Sequence, residues 1–159
     1  MPEKNKKKKY FQSPTGMHDI LPADQPWVQL LEKKAEDIAK FYRFERIETP
    51  IFEDTELFTR GVGQSSDVVE KQMYTFCTKG GDSVTLRPEE TASVVRSYIQ
   101  HGMISLPQPV RLFYSGPFFR YERPQKGRLR QFHQIGFEVF GENSPAIDAQ
   151  LIQIAYAIL

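Results

Sequence analysis

At 159 residues, 40% apolar and 26% charged, the chain is long enough for one domain with a substantial core. A net charge of +1 excludes a general polyanion-binding coat, and no apolar run approaches the roughly 20 residues of a membrane span. The single cysteine, Cys77, excludes a disulfide framework, and His18, His101 and His133 lack ligand spacing, so no metal site is predicted and a reducing, cytoplasmic location is expected.

The charge is unevenly placed. Residues 1–12 hold Lys4, Lys6, Lys7, Lys8 and Lys9 against Glu3, with no apolar segment behind them, and read as a solvated, disordered arm rather than a secretory signal. A weak RNA-attracting arm is the alternative. Residues 13–159 form the folded unit. Gly16–Pro22 reads as a loop leading into a helix from about Asp24 to Arg43, with Asp24 as cap, Pro26 in the first turn, and Val28, Leu31, Ala35, Ile38 and Tyr42 as its apolar stripe. Arg46–Phe52 is short, β-prone and broken by Pro50, which marks an edge or interface strand. Glu53–Phe58 follows as a helical turn. Gly61 and Gly63 precede a serine-rich helix start, where a turn is a better reading than a dinucleotide loop. Met73–Cys77 and Ser83–Arg87 flank Lys79-Gly80-Gly81-Asp82 as a β-hairpin. Glu89–Gln100 turns helical with Val94, Val95, Tyr98 and Ile99 as its apolar face, and Val110–Tyr114 is the next strand. Ser144 and Pro145 open a last helix that runs to Leu159 without a stop signal, so the sequence reads as cut from something longer.

The chemistry gathers between Phe118 and Gly141. Arg120, Arg123, Lys126, Arg128 and Arg130 oppose only Glu122, while the following strand alternates. Its odd positions, Ile135, Phe137 and Val139, are apolar after His133. Its even positions are Phe132, Gln134, Gly136 and Glu138. The even face reads as a binding surface, with Gly136 leaving room for a ligand on the backbone. Guanidinium groups beside an aromatic ring suit a nucleoside polyphosphate. The alternative is a solvated hairpin whose arginines pair with acidic neighbours. In a second constellation, Thr85–Thr91, a strand meets a helix at Glu89 and Thr91, which could bind an ammonium group or simply cap the helix.

Arg120-Tyr-Glu-Arg-Pro followed by Gly127-Arg-Leu-Arg-Gln-Phe-His-Gln134 strongly resembles motif 2 of class II aminoacyl-tRNA synthetases, with wording similar to the histidyl-tRNA synthetase family. Leu86-Arg-Pro-Glu89 with Thr91 resembles that family's amino-acid segment, and Gly16–Pro22 and the helix with the Pro50 strand resemble its N-terminal signature and motif 1. The resemblance implies an α+β fold, an antiparallel six-stranded β-sheet flanked by helices, of which residues 13–159 are the N-terminal part of the catalytic domain. It implies a histidine–tRNA ligase that joins L-histidine and ATP-Mg²⁺ into histidyl-adenylate, passes the histidyl group to tRNA(His), dimerises through motif 1 and holds no tightly bound cofactor. By position, it implies Arg120, Glu122, Arg128 and Phe132 as ATP contacts, with Arg120 catalytic at the α-phosphate. Glu89, Glu90, Thr91, Arg120, Gln134 and Glu138 become the histidine contacts. Glu90 stands where the family usually has glycine. Motif 3 and an anticodon domain are not among these residues, so this chain alone is expected to be inactive. A regulatory paralogue that binds histidine or a partner enzyme without charging tRNA is the alternative.

Overall fold

The computed structural model describes residues 10–61 and 72–159. The lysine run at 1–9 and the glycine-serine turn after Gly61 lie outside the described residues. Helix α1 (Gln25–Phe41) opens with Pro26 in its first turn. Asp24 contributes its carbonyl, taking the N–H groups of Trp27 and Val28, and its side chain does not cap as predicted. The helix closes with Arg43 left-handed (φ 60°) while Phe44 N–H reaches Ala39 O at 2.8 Å and Arg43 N–H reaches Lys40 O at 3.1 Å. That is a Schellman closure made with arginine where glycine is usual.

The predicted strand around Pro50 divides in two. β1 (Glu45–Arg46) lies parallel to β5 (Val110–Phe119), and β2 (Phe52–Asp54) lies antiparallel to β4 (Ser83–Leu86). Proline cannot donate a ladder hydrogen bond, so the chain changes sheets across it. Helix α2 (Thr55–Gly61) follows, its Glu56 N–H capped by Asp54 Oδ1 at 2.8 Å. β3 (Tyr74–Cys77) and β4 form the predicted hairpin, turned on Gly81 (φ 95°). After helix α3 (Thr91–Gln100) and a short 3₁₀ turn, β5 pairs antiparallel with β6 (Gln131–Phe140) over ten residues each, and α4 (Pro145–Ile158) returns beside α1.

The described strands thus form two three-stranded sheets, β1-β5-β6 and β2-β4-β3, in an α+β arrangement dominated by antiparallel pairs. The resemblance implies a six-stranded antiparallel sheet for the whole catalytic domain, and the antiparallel pairs here accord with it, while the short β1–β5 pair is parallel. Two clusters sit on opposite faces of the larger sheet. On one face Ala35, Ala39, Phe44, Phe113 and Ile154 pack with Ile135, Phe137 and Val139, which realises the apolar odd face of β6. On the other, Val94, Tyr98, Val110 and Leu112 pack with Tyr114 and Phe140. The buried side of α3 carries Ser93, Val94, Ser97 and Tyr98, whereas the predicted Val95 and Ile99 face outward. Serine lets α3 approach closely where a larger residue would hold it off.

Candidate functional site

The even face of β6 and the junction between β4 and α3 converge. Phe132, Gln134, Gly136 and Glu138 stand opposite Phe118, Gly116, Tyr114 and Leu112 on β5, so all eight share one face. Thr91, first residue of α3, donates from Oγ1 to Glu138 Oε1 at 2.7 Å, across 47 residues of sequence. Glu89 lies two residues before Thr91, its carboxylate 3.1 Å from the Ala92 N–H. That is the capping geometry left open in the sequence, and it leaves further acceptor sites on both oxygens.

Burial pushes the Glu138 carboxyl above the ordinary carboxylate range, with the Thr91 hydroxyl opposing the shift and Glu89 adding to it. Burial, and secondarily the Glu138 charge, pushes the Tyr114 phenol well above its ordinary value, so it remains a protonated donor. Tyr114 corrects the reading of Gly136. A Cβ on Gly136 would lie 2.1 Å from Tyr114 Cζ and 2.3 Å from its hydroxyl oxygen. The bare backbone receives a protein ring rather than a ligand. Sequence reasoning missed Tyr114, although an aromatic directly across from a strand glycine is a recognisable pairing.

Beyond this face lies a cleft of about 560 Å³ lined by Arg120, Glu122, Gly127, Arg128, Leu129, Phe132 and His133. Arg120 and Glu122 sit past the end of β5, in the connection predicted to carry the cations. Arg120 is anchored at both ends. Its N–H bonds to Arg130 O at 2.9 Å, its Nε donates to Pro88 O at 2.9 Å, and its guanidinium lies 5.1 Å from the centre of the Phe132 ring. Arg128 approaches Glu122 at 3.6 Å and is largely exposed. Arg130 is turned elsewhere, donating to Glu122 O at 3.0 Å and lying over Tyr121 at 4.1 Å. The hairpin cations are therefore unequal: Arg128 lines the cleft and stays exposed, while Arg130 is taken up by Glu122 O and the Tyr121 ring outside it.

Glu90 departs from its expected place among direct ligand contacts. It is 2% exposed and accepts from Thr49 Oγ1 at 2.8 Å and from Arg87 Nη1 at 3.1 Å. Burial raises its carboxyl, while Thr49 and Arg87 oppose the rise. With both neighbours engaged, it has no exposed oxygen to offer a ligand.

The comparisons agree with this architecture. A family model described as histidyl-tRNA synthetase matches residues 16–159. The chain belongs to the histidyl-tRNA synthetase family. A histidine–tRNA ligase of Desulforamulus reducens is 56% identical over 145 residues, 91% of this chain and 35% of that protein. One from Halothermothrix orenii is 54% identical over 147 residues, 92% of this chain and 35% of its own length. Among solved structures, apo histidyl-tRNA synthetase of S. aureus superposes with a TM-score of 0.79 at 42% identity, covering 94% of this chain and 34% of that one. A Bacillus halodurans structure titled as an ATP phosphoribosyltransferase regulatory subunit/histidyl-tRNA synthetase also reaches 0.79, at 25% identity over 96% of this chain and 38% of that one. The chain spans about a third of the length of the histidyl-tRNA synthetase relatives it matches. No described helix is long and apolar enough to cross a membrane.

Proposed function

We propose that this chain is the part of a histidine–tRNA ligase that binds histidine and ATP and joins them as histidyl-adenylate before transfer to tRNA(His). One observation carries the reading: the Thr91–Glu138 hydrogen bond, which sets an ammonium-binding hydroxyl beside a half-buried carboxylate on the face leading to the Arg120–Phe132 cleft. Glu89, Thr91 and Gln134 surround the α-amino group, and Glu138 accepts the imidazole N–H. ATP enters the cleft as its Mg²⁺ complex, the metal arriving with the substrate. Glu122 faces the adenine amino group and Arg128 the distal phosphates. Phe132 supplies the stacking surface once Arg120 swings from the ring toward the phosphates.

A histidine carboxylate oxygen attacks the α-phosphorus, the bond to the bridging oxygen breaks, and pyrophosphate leaves. Arg120 opposes the charge that builds on the α-phosphate, so catalysis is chiefly placement and charge stabilisation. Dimerisation through the α1–β2 region is part of the proposal, supported by Ile51, just before β2, and Phe52, which opens it, each being about half exposed. A cytoplasmic location goes with a role in translation.

The regulatory-subunit alternative has the Bacillus halodurans likeness behind it. The 54–56% relatives named as ligases, and the presence here of Arg120, Glu122, Arg128, Phe132, Gln134 and Glu138 together, favour the ligase. The test is histidine-dependent ATP–pyrophosphate exchange by the full-length protein carrying this segment, with the 159-residue chain alone expected to give none. Histidine binding without exchange by the full-length protein would favour the regulatory subunit.

A further inference from the structure

Residues 87–91 have a buried root and two functional ends. At the root, Arg87 is 6% exposed and makes a fan of contacts. Its Nε donates to Pro117 O at 3.0 Å, and its Nη1 donates to Thr49 O at 3.2 Å and Glu90 Oε1 at 3.1 Å. Its backbone is fixed as well, N–H to Ile51 O at 2.9 Å and carbonyl to Phe119 N–H at 3.0 Å. The guanidinium lies 4.8 Å from the centre of the Phe118 ring and over Gly116, where a Cβ would come 2.4 Å from Nη2. Thr49 Oγ1 adds a second donor to Glu90 Oε1 at 2.8 Å, while the buried Oε2 has the Arg87 charge 3.1 Å away but no hydrogen bond. At the ends, Pro88 O receives Arg120 Nε and Thr91 holds Glu138.

We propose that the buried Arg87–Glu90 pair is a positioning device that registers the histidine subsite against the nucleotide cleft, acting on catalysis through Arg120. The proposal rests on the ligase reading above. Neither residue touches substrate. Pro88, between them, carries the carbonyl that orients Arg120, so displacing the root displaces Arg120, while Thr91, just past Glu90, holds Glu138 from the first turn of α3. Glycine at position 90 would leave the Arg87 guanidinium without its carboxylate. A buried cation stripped of its partner reorganises its surroundings. Misplacing reacting groups by about 1 Å can cost on the order of a hundredfold in rate.

The test uses the full-length ligase and five variants. Arg87→Lys keeps the charge but loses the fork that reaches Pro117 and Thr49 together. Gly116→Ala pushes the guanidinium aside without altering any charge. Both are expected to lower the rate of adenylate formation at least tenfold while the KM for histidine and for ATP changes less than threefold. Glu90→Gln takes the carboxylate charge from Arg87, whose Nη1 lies 3.1 Å from Glu90 Oε2, and is expected to lower the rate in the same direction. Combining Arg87→Lys with Arg120→Ala should be no worse than Arg120→Ala alone, because the pair acts through Arg120. Near-normal rates in both Arg87→Lys and Gly116→Ala, additive losses in the double variant, or losses confined to variants whose melting temperature has fallen to that of the assay would each overturn the proposal. If instead the wild-type full-length protein forms no histidyl-adenylate, the ligase assignment itself fails, so the two failures are separable.

Discussion

Two groups of arginines in this chain are handled in opposite ways. The hairpin from Arg120 to Arg130 surrounds an open cleft, and Arg128 keeps about two-thirds of its side chain in solvent. Arg87, 33 positions before Arg120, is enclosed, paired with Glu90 and bonded to two backbone carbonyls. Exposed cations pay little to desolvate and stay free for phosphate; a buried one is retained only with its hydrogen bonds complete. Under the proposed function, the difference separates groups that meet a ligand from groups that decide where the ligand is met.

The sharpest way to break that division is at Arg120, which is anchored at Pro88 yet faces the cleft. Arg120→Ala is expected to slow adenylate formation by about a hundredfold or more, roughly 3 kcal/mol, with histidine binding much less affected. Pre-steady-state measurement of adenylate reads this directly. An unchanged rate with only a raised histidine KM would move Arg120 to the structural side of the comparison.

Glu138→Gln comes next. It should lower kcat/KM for histidine at least tenfold, equivalent to the loss of a charge-assisted bond of about 1.5–3 kcal/mol, with the KM for ATP near wild type. The same variant carries a thermal signature. Burial raises the Glu138 carboxyl in the folded state, so between its unfolded and folded values the folded protein holds a proton that the unfolded chain has released. Stability therefore falls as pH rises through that window, and Glu138 opposes folding above it. Glu138→Gln should melt no lower than wild type at neutral pH and should flatten the decline of melting temperature above the ordinary carboxylate range. A variant that melts lower and uses both substrates equally poorly would make Glu138 a support and not a ligand contact. Burial raises Glu90 in the same direction, so part of the slope should survive in the variant.

The smallest expected effect belongs to Arg128→Ala. Its approach to Glu122 is long and solvent-exposed, and such surface pairs contribute about 0–1 kcal/mol. Melting should move little while the KM for ATP rises several-fold. A large drop in melting temperature would show that the open hairpin is structural after all.

Much of this arrangement is legible in the residues, and the rest fails for definable reasons. Alternation on β6 separates the packed face from the polar one because strand parity is local and strict, and the hairpin glycines mark a turn that any pairing partner would need. The Glu90 partnership is not local. It requires Thr49, Arg87 and the carbonyl of Pro117, brought together from three segments, and nothing in Pro-Glu-Glu-Thr distinguishes the carboxylate that turns inward from the one that caps α3. Tyr114 over Gly136 depends on the β5–β6 register, which fixes a pair 22 positions apart. Pro50 was read correctly as an interruption, but a proline marks where pairing stops and does not say that the next strand joins another sheet.

Gly16 gives the cleft an unexpected dependence on the other end of the chain. Its carbonyl takes the Arg130 N–H at 2.7 Å, with the Gln131 N–H at 3.4 Å, and its left-handed backbone (φ 80°) lies so near Arg130 that a Cβ would come 2.8 Å from Arg130 Cγ. The contact closes a loop of more than a hundred residues, which makes it entropically late in folding even though Gly16 precedes every strand it is sewn to. This closure, next to the Arg120–Phe132 cleft, is thus a seam, sewn shut only after the whole β5–β6 pair exists. Trimming the N-terminus past this point would unpick the seam and leave the sheet beneath it intact.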